Sequence, residues 1–277
     1  MAGLQELRKR LRSIRSTQQM AAAMRTGATA KFAKLSRKRT AFGPYSEACG
    51  EILAGLGEIG IVRRCEEVNP RACLVLLSGN RGFCGGFHAE LFRFFEEEYA
   101  KEENPPLLLA CGRKAVSFCR ERGWEAEEYA VEDVPSFEEI RPIADRLREI
   151  YVSGEAETVS VICQDYENIL RQTPGRHPVL PGKRSGGETE EPPLYLPDRE
   201  TIGEQLAVYC LESEIYEIFL QSASGAQAAT QMAMRSACDN AEDTASKLEI
   251  TINRRRQAEV TAGVIETASG SFREQGE

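Results

Sequence analysis

Histidine is scarce. The 277 residues hold two, His88 and His177, beside a single tryptophan, Trp124. Nine cysteines are scattered at 49, 65, 73, 84, 111, 119, 163, 210 and 238, and no two form a C-x-x-C pair. That spacing offers no zinc site, and an odd number of thiols in apolar runs (Cys73, Cys111, Cys163) points to small buried hydrophobes in a reducing compartment. No run of about 18 apolar residues occurs, so no membrane-spanning helix is expected. The opening "MAGLQELRKRLRSIR" has no continuous apolar centre and is not a secretory signal. Its basic amphipathic pattern continues for dozens of residues, as part of a mature helix would. Proline is missing before Pro44 and after Pro197.

Positive charge is what the first region has in abundance. Residues 1–45 carry eleven Lys and Arg and one acid, Glu6, within a chain of net charge −8. Such a segment wants an anionic partner: nucleic acid, an anionic lipid surface or an acidic protein surface. A nucleic-acid binder would interleave aromatics with the basic residues, and Phe32 is the only aromatic in 1–40.

Three regions follow from periodicity. In residues 1–60, Leu4, Leu7, Leu11 and Ile14 recur in steps of three and four, and Met20, Met24, Ala28, Phe32 and Leu35 continue the stripe. This predicts one long amphipathic helix, roughly 80 Å if helical throughout, which needs a partner helix to cover its stripe. Residues 203–272 supply one. From Leu206 a heptad pattern runs through Tyr209, Tyr216, Leu220, Ala223 and Gln227 to Met234, Ala237, Ala241, Thr244 and Leu248. Its seam is rich in Ala, Thr and Gln, which permits close approach and buries little apolar area. Residues 70–195 alternate short apolar runs (73–77, 107–111, 158–164) with helical stretches (88–101, 113–122, 136–151), the last opened by the capping box Ser136/Glu139. The fold expected is therefore a long antiparallel coiled coil of the N- and C-terminal helices with an inserted Rossmann-like α/β domain built on a mainly parallel sheet. "LPGKRSGGETEEPP" (180–193) is expected to be a loop.

"SGNRGFCGGFH" (78–88) ends the first apolar run in four glycines. A P-loop needs Lys and Ser or Thr after its last glycine, and here Phe87 and His88 follow. The glycines are spaced G-x-x-G-x-x-G-G, not G-x-G-x-x-G, and no acid ends the next run at Cys111. A tight corner explains them equally well. The carboxylates of "FFEEEYAKEE" (94–103) fall at helix-surface spacing, and neither histidine has a nucleophile motif beside it. No catalytic, cofactor or metal residues emerge.

Three stretches in register carry a family likeness: "AGLQELRKRLRSIRSTQQM" (2–20), "SGNRGFCGG" (78–86) and "DNAEDTASKLEITINRRRQAEVT" (239–261). Together they resemble the gamma subunit of the F-type ATP synthase over nearly the whole length. The resemblance implies a non-catalytic, cofactor-free central-stalk rotor. Its paired helices would run through a ring of alpha and beta subunits, and its α/β domain would sit against the epsilon subunit and the c ring. Turning of the c ring by proton flow would then change nucleotide affinity at each beta site. It also implies a peripheral location at the cytoplasmic face of a bacterial plasma membrane, or at an organelle inner membrane. Arg254, Arg256, Gln257 and Thr261 match the family's contacts with the alpha/beta ring, and Glu212 a position near the c ring. The chain departs from the family pattern at Ala22, Gly27, Asn80, Gly225, Ala226, Thr230, Gln231 and Gly263. Most of these remove side chains, which implies weaker contacts with beta.

Overall fold

The computed structural model describes residues 2–55, 61, 65, 68–182 and 198–274. Most of the expected loop 180–193 lies outside them. The chain divides into two compact units, Met1–Gly27 with Ala233–Glu277, and Ala28–Met232. Two helices contribute to both: α1 (Ala2–Gly55) and α5 (Arg199–Glu274). Pro44 lies inside α1. The rest of the described secondary structure is β1 (Ala72–Leu77), α2 (Phe87–Tyr99), β2 (Leu107–Cys111), α3 (Arg113–Arg122), β3 (Glu127–Tyr129), α4 (Phe137–Ser153), β4 (Thr158–Asn168) and β5 (Arg171–Leu180).

In the second unit the strands form one sheet in the order β3-β2-β1-β4-β5. The first four are parallel, and β5 pairs antiparallel with β4. Every residue of β1 is buried, because both faces of the sheet are covered. Cys73, Val75 and Leu77 point to one side, with Val161 and Cys163 of β4, Ile143, Leu147 and Ile150 of α4, and Ile215 and Phe219 of α5. Ala72, Leu74 and Leu76 point to the other, with Leu91 and Phe95 of α2 and Phe118 of α3. The capping box forms as expected: Glu139 N–H donates to Ser136 Oγ, and Ser136 N–H to Glu139 Oε2. Two strands escaped the periodicity argument. β3 is three residues long. β5 holds Pro174, Gly175 and Pro178, which a strand tolerates only at a sheet edge. Arg176 ties that edge to Glu98 of α2 (3.1 Å) and to Glu102 in the turn after it (2.8 Å).

The helices pair antiparallel in each unit. In the second, the rings of Phe42 and Tyr216 meet edge to face at 4.8 Å, and Cys210 Sγ donates to the Cys49 carbonyl. In the first, Arg15 pairs with Glu249 and Gln18 donates to Glu242. The seam differs from the expected one in three places. Met20 is 63% exposed and its neighbour Ala21 6%, so the stripe runs through Ala21. On α5, Cys238 is buried beside the expected Ala237, which is half-buried against the same cluster, and Ala245 is buried where Thr244 was expected; exposed Thr244 bonds back to Asn240. Tyr209 is exposed, and Leu211 and Ile215 fill the core. In the second unit α5 packs against both α1 and the sheet, so it buries a wider arc than a two-helix seam. The helix also starts earlier than expected, because Asp198 caps it by accepting from Thr201 N–H at 2.8 Å.

One glycine is fixed by geometry. Gly112 has φ +91°, and a Cβ there would stand 2.2 Å from the Ser78 carbonyl oxygen. Gly112→Ala combines left-handed strain with a backbone collision, and we expect a loss of about 3 kcal/mol or more in denaturant unfolding. A loss below about 1 kcal/mol would show that this corner yields.

Candidate functional site

The glycine loop spends its polar groups on the protein itself. Three backbone N–H groups at the start of α3 lack helical partners. All three are met from the loop. Arg113 N–H donates to Asn80 Oδ1 (3.1 Å), Lys114 N–H to the Gly79 carbonyl (3.2 Å) and Ala115 N–H to Ser78 Oγ (2.6 Å). The start of α2 is faced by its own acid: a Cβ on Gly86 would lie 3.2 Å from Glu90 Oε1. Amides already bonded, and a carboxylate over the other helix start, suit a corner and not an anion cradle.

Asn80 also fastens the loop downward. Its Nδ2 donates to the Val131 carbonyl and to Asp133 Oδ1 (3.3 Å), and Asp133 in turn pairs with Lys31 of α1. Burial raises the pKa of the Asp133 carboxyl, but Lys31, Asn80 and Arg81 outweigh it and hold the carboxyl below its usual range. An aspartate at 80 would set two carboxylates together and lose both donated bonds, so asparagine fits this neighbourhood. Gly225 sits in a close-packed spot. A Cβ there would meet the Phe87 ring at 3.3 Å.

The crevice between this loop, Asp133 and α5 residues Phe219, Ser222 and Gln227 has a volume of about 30 Å3. That is room for roughly two waters, where small-molecule sites need roughly 300 Å3 or more. His88 is buried beside it. Its Nε2 lies 3.1 Å from the Arg81 carbonyl, which requires a proton on Nε2, while Nδ1 is buried with no partner among the described residues.

A further set of exposed polar groups lies on the helix pair of the first unit. There α1 is strongly basic, and Glu249 of α5 answers part of that charge by pairing with Arg15. Further along α5, residues 253–265 are exposed throughout. Arg255 leans on α1, since a Cβ on Gly3 would stand 2.5 Å from its guanidinium. Arg254, Arg256 and Gln257 have no side-chain partner among the described residues. The Thr261 hydroxyl donates back to the Gln257 carbonyl (2.9 Å). The structure therefore presents two free guanidiniums and a free amide spread around the exposed side of the helix, groups that can bind carboxylates or carbonyls.

A family profile described as ATP synthase matches residues 3–271. ATP synthase gamma chains from Chlorobaculum tepidum and Heliobacterium modesticaldum are each 31% identical, with 98% of this chain covered and 98% and 99% of theirs. The chain belongs to the ATP synthase gamma-chain family. The rotor of the Euglena gracilis mitochondrial ATP synthase has the same fold, with TM-score 0.64 at 16% identity over 94% of this chain and 99% of that one. A second Euglena structure, of OSCP, F1 and c-ring, gives TM-score 0.68 at 14% identity over 98% and 94%. A gamma chain is a subunit of the ATP synthase complex.

Glu212 does not join the α5 patch. It lies in the second unit, 5% exposed, with Oε1 3.4 Å from Arg141 Nε of α4 and Oε2 without a partner among the described residues. The family likeness named the arginines, and sequence reasoning missed the Asn80–Asp133–Lys31 chain. Its members lie far apart in the sequence and share no motif.

Two outcomes test the corner. Asn80→Asp should cost about 1–3 kcal/mol in denaturant unfolding, by unpairing buried acceptors and crowding Asp133. His88 links stability to pH. Burial lowers its pKa in the folded state, with the Arg81 carbonyl opposing. The unfolded chain therefore takes up the proton first, and stability falls as pH drops below about 6.5. His88→Leu should flatten the stability profile between about pH 5.5 and 7, and an unchanged slope there would contradict this assignment.

Proposed function

We propose that this chain is the central-stalk rotor of a proton-translocating F-type ATP synthase. It couples rotation of a c ring to the nucleotide-binding changes of beta-subunit catalytic sites and holds no catalytic residue or cofactor of its own. The observation that carries this reading is the exposed end of α5. Arg254, Arg256 and Gln257 project unpaired donors from a helix whose other face is tied to α1. In the proposed complex they meet acidic and carbonyl groups of the alpha/beta ring, with Thr261 alongside. Contacts of this kind stay solvent-reachable and so can break at each step. A seam of small residues suits an axle in a narrow bore.

The second unit is proposed to serve the foot, against the epsilon subunit and the c ring. Glu212 would act there through Arg141, whose guanidinium is more than half exposed. The whole would be peripheral at the cytoplasmic face of a bacterial plasma membrane. The basic surface of α1 is read as facing protein and not nucleic acid, because Phe32 is the only aromatic in 1–40 and Arg15 is already paired with Glu249 of α5. Thr230 and Gly263, where the family pattern has larger polar groups, would make the grip on beta lighter. Thr230 spends its hydroxyl on the Ala226 carbonyl (2.8 Å).

Gentle purification from native membranes should recover the chain with alpha and beta subunits, and its removal should uncouple ATP hydrolysis from proton movement. Recovery of the chain free of both would contradict the proposal. Within the complex, Arg256→Ala should lower the rate of ATP-driven proton pumping by about fivefold to tenfold, one charged contact being worth about 1–1.5 kcal/mol. Arg255→Ala should leave pumping per ATP unchanged, because that guanidinium is engaged on α1.

A further inference from the structure

Cys163, Asp165 and His177 project from one face of the β4–β5 hairpin. Cys163 and Asp165 are two apart on β4, and antiparallel pairing sets His177 of β5 opposite Val161. Their donor atoms all lie within 4.8 Å of one another. His177 Nε2 is 2.7 Å from Asp165 Oδ1. The residue opposite Cys163 is Gly175, where a Cβ would stand 2.5 Å from Asp165 Oδ2 and 3.3 Å from His177 Nε2. A side chain is thus absent just where it would fill the space between the donors. Cys163 is fully buried at the inner end, while the Asp165 and His177 side chains are 27% and 31% exposed and leave an outer approach.

We propose that these three residues form a binding site for a zinc-class divalent metal ion, with water as the fourth ligand. A thiolate, an imidazole and a carboxylate are the donor types that zinc takes, and three protein ligands leave one position open. Tetrahedral bonds of about 2.0–2.3 Å put such donors roughly 3.3–3.6 Å apart. Small side-chain rotations reach that from the observed spacing. On binding, the Cys163 thiol loses its proton to solvent and its sulfur bonds the metal. The imidazole proton moves from Nε2 to Nδ1, which frees Nε2, and one Asp165 oxygen leaves its hydrogen bond to become a ligand. One thiolate, one carboxylate and a neutral imidazole balance a divalent cation, so the half-buried site carries no net charge. Burial pushes the free Cys163 thiol up, with Asp165 adding to it. A bound cation reverses that balance. The ion would pin the register of an edge hairpin that two prolines and a glycine weaken. The site goes beyond the rotor reading and does not depend on it. Linear spacing hides it, because the ligands come from two strands.

The test is titration of the full, chelator-stripped chain with Zn2+ by calorimetry and with Co2+ by absorption. The expected result is one metal per chain, thiolate-to-cobalt charge-transfer absorption that Zn2+ abolishes, and about one proton released. His177→Gln and Asp165→Asn should each weaken binding about tenfold or more with helix content unchanged, and Cys163→Ser should remove the charge-transfer band. If Cys163→Ser does not fold, the two partly exposed variants carry the test. A chain that binds no metal, or one whose Zn2+ affinity His177→Gln leaves unchanged because other thiols hold the ion, overturns the proposal.

Discussion

The structure depends on the narrow apolar stripe of α1. Fifty-four helical residues carry it, and most of the helix surface is charged or polar. Such a stripe cannot cover itself, and isolated helicity does not sustain so long an element in water. It needs α5. In the first unit the covering contacts are small: Ala21 with Met234 and Cys238, flanked by Ala22, Met24 and Ala237. Few apolar atoms are buried there per turn, so the pair is thin. In the second unit the same two helices rest on a sheet, and Leu35, Leu211, Ile215 and Phe219 join a large core. One pair of helices thus has two characters. It is anchored where it meets the sheet, and it is slight and polar where a partner is proposed to surround it.

The glycine corner belongs to the anchored part. Ser78, Gly79 and Asn80 finish β1 and cap α3 in a single turn, and Asn80 continues through Asp133 to Lys31. The loop that most resembles a phosphate cradle in one dimension is therefore a junction between the sheet and the first helix. Its polar atoms are used in that junction, and the adjoining crevice admits only water. The chemistry proposed for the complex is correspondingly placed on partners, and this chain contributes shape and a few free cationic groups.

Much of this was legible because the elements are long and periodic. The 3.6-residue stripe, the capping box at Ser136 and the alternation of runs and helices each identify an element by local physics. The misses have local causes too. A heptad phase is ambiguous where neighbouring residues are all small or flexible, so periodicity selects Met20 where Ala21 is buried and Thr244 where Ala245 is, and it passes over Cys238 beside Ala237. β5 was missed because prolines and glycine mask an edge strand. The family likeness pointed to Arg254, Arg256, Gln257 and Thr261. The structure adds that Thr261 is bonded back to its own helix, that Arg255 is occupied and that Glu212 is buried. Asn80–Asp133–Lys31 and Cys163–Asp165–His177 were not legible, because they exist only once distant segments pair.

The central claim is that this chain turns as the rotor of an ATP synthase. The most direct measurement is single-molecule rotation. The alpha/beta ring would be fixed to a surface, a probe attached to this chain in the second unit, and ATP supplied. The account predicts stepwise rotation in one direction, with steps tied to ATP turnover and stopped by nucleotide removal. ATP hydrolysis proceeding at full rate in the assembled complex while the probe does not turn would contradict it.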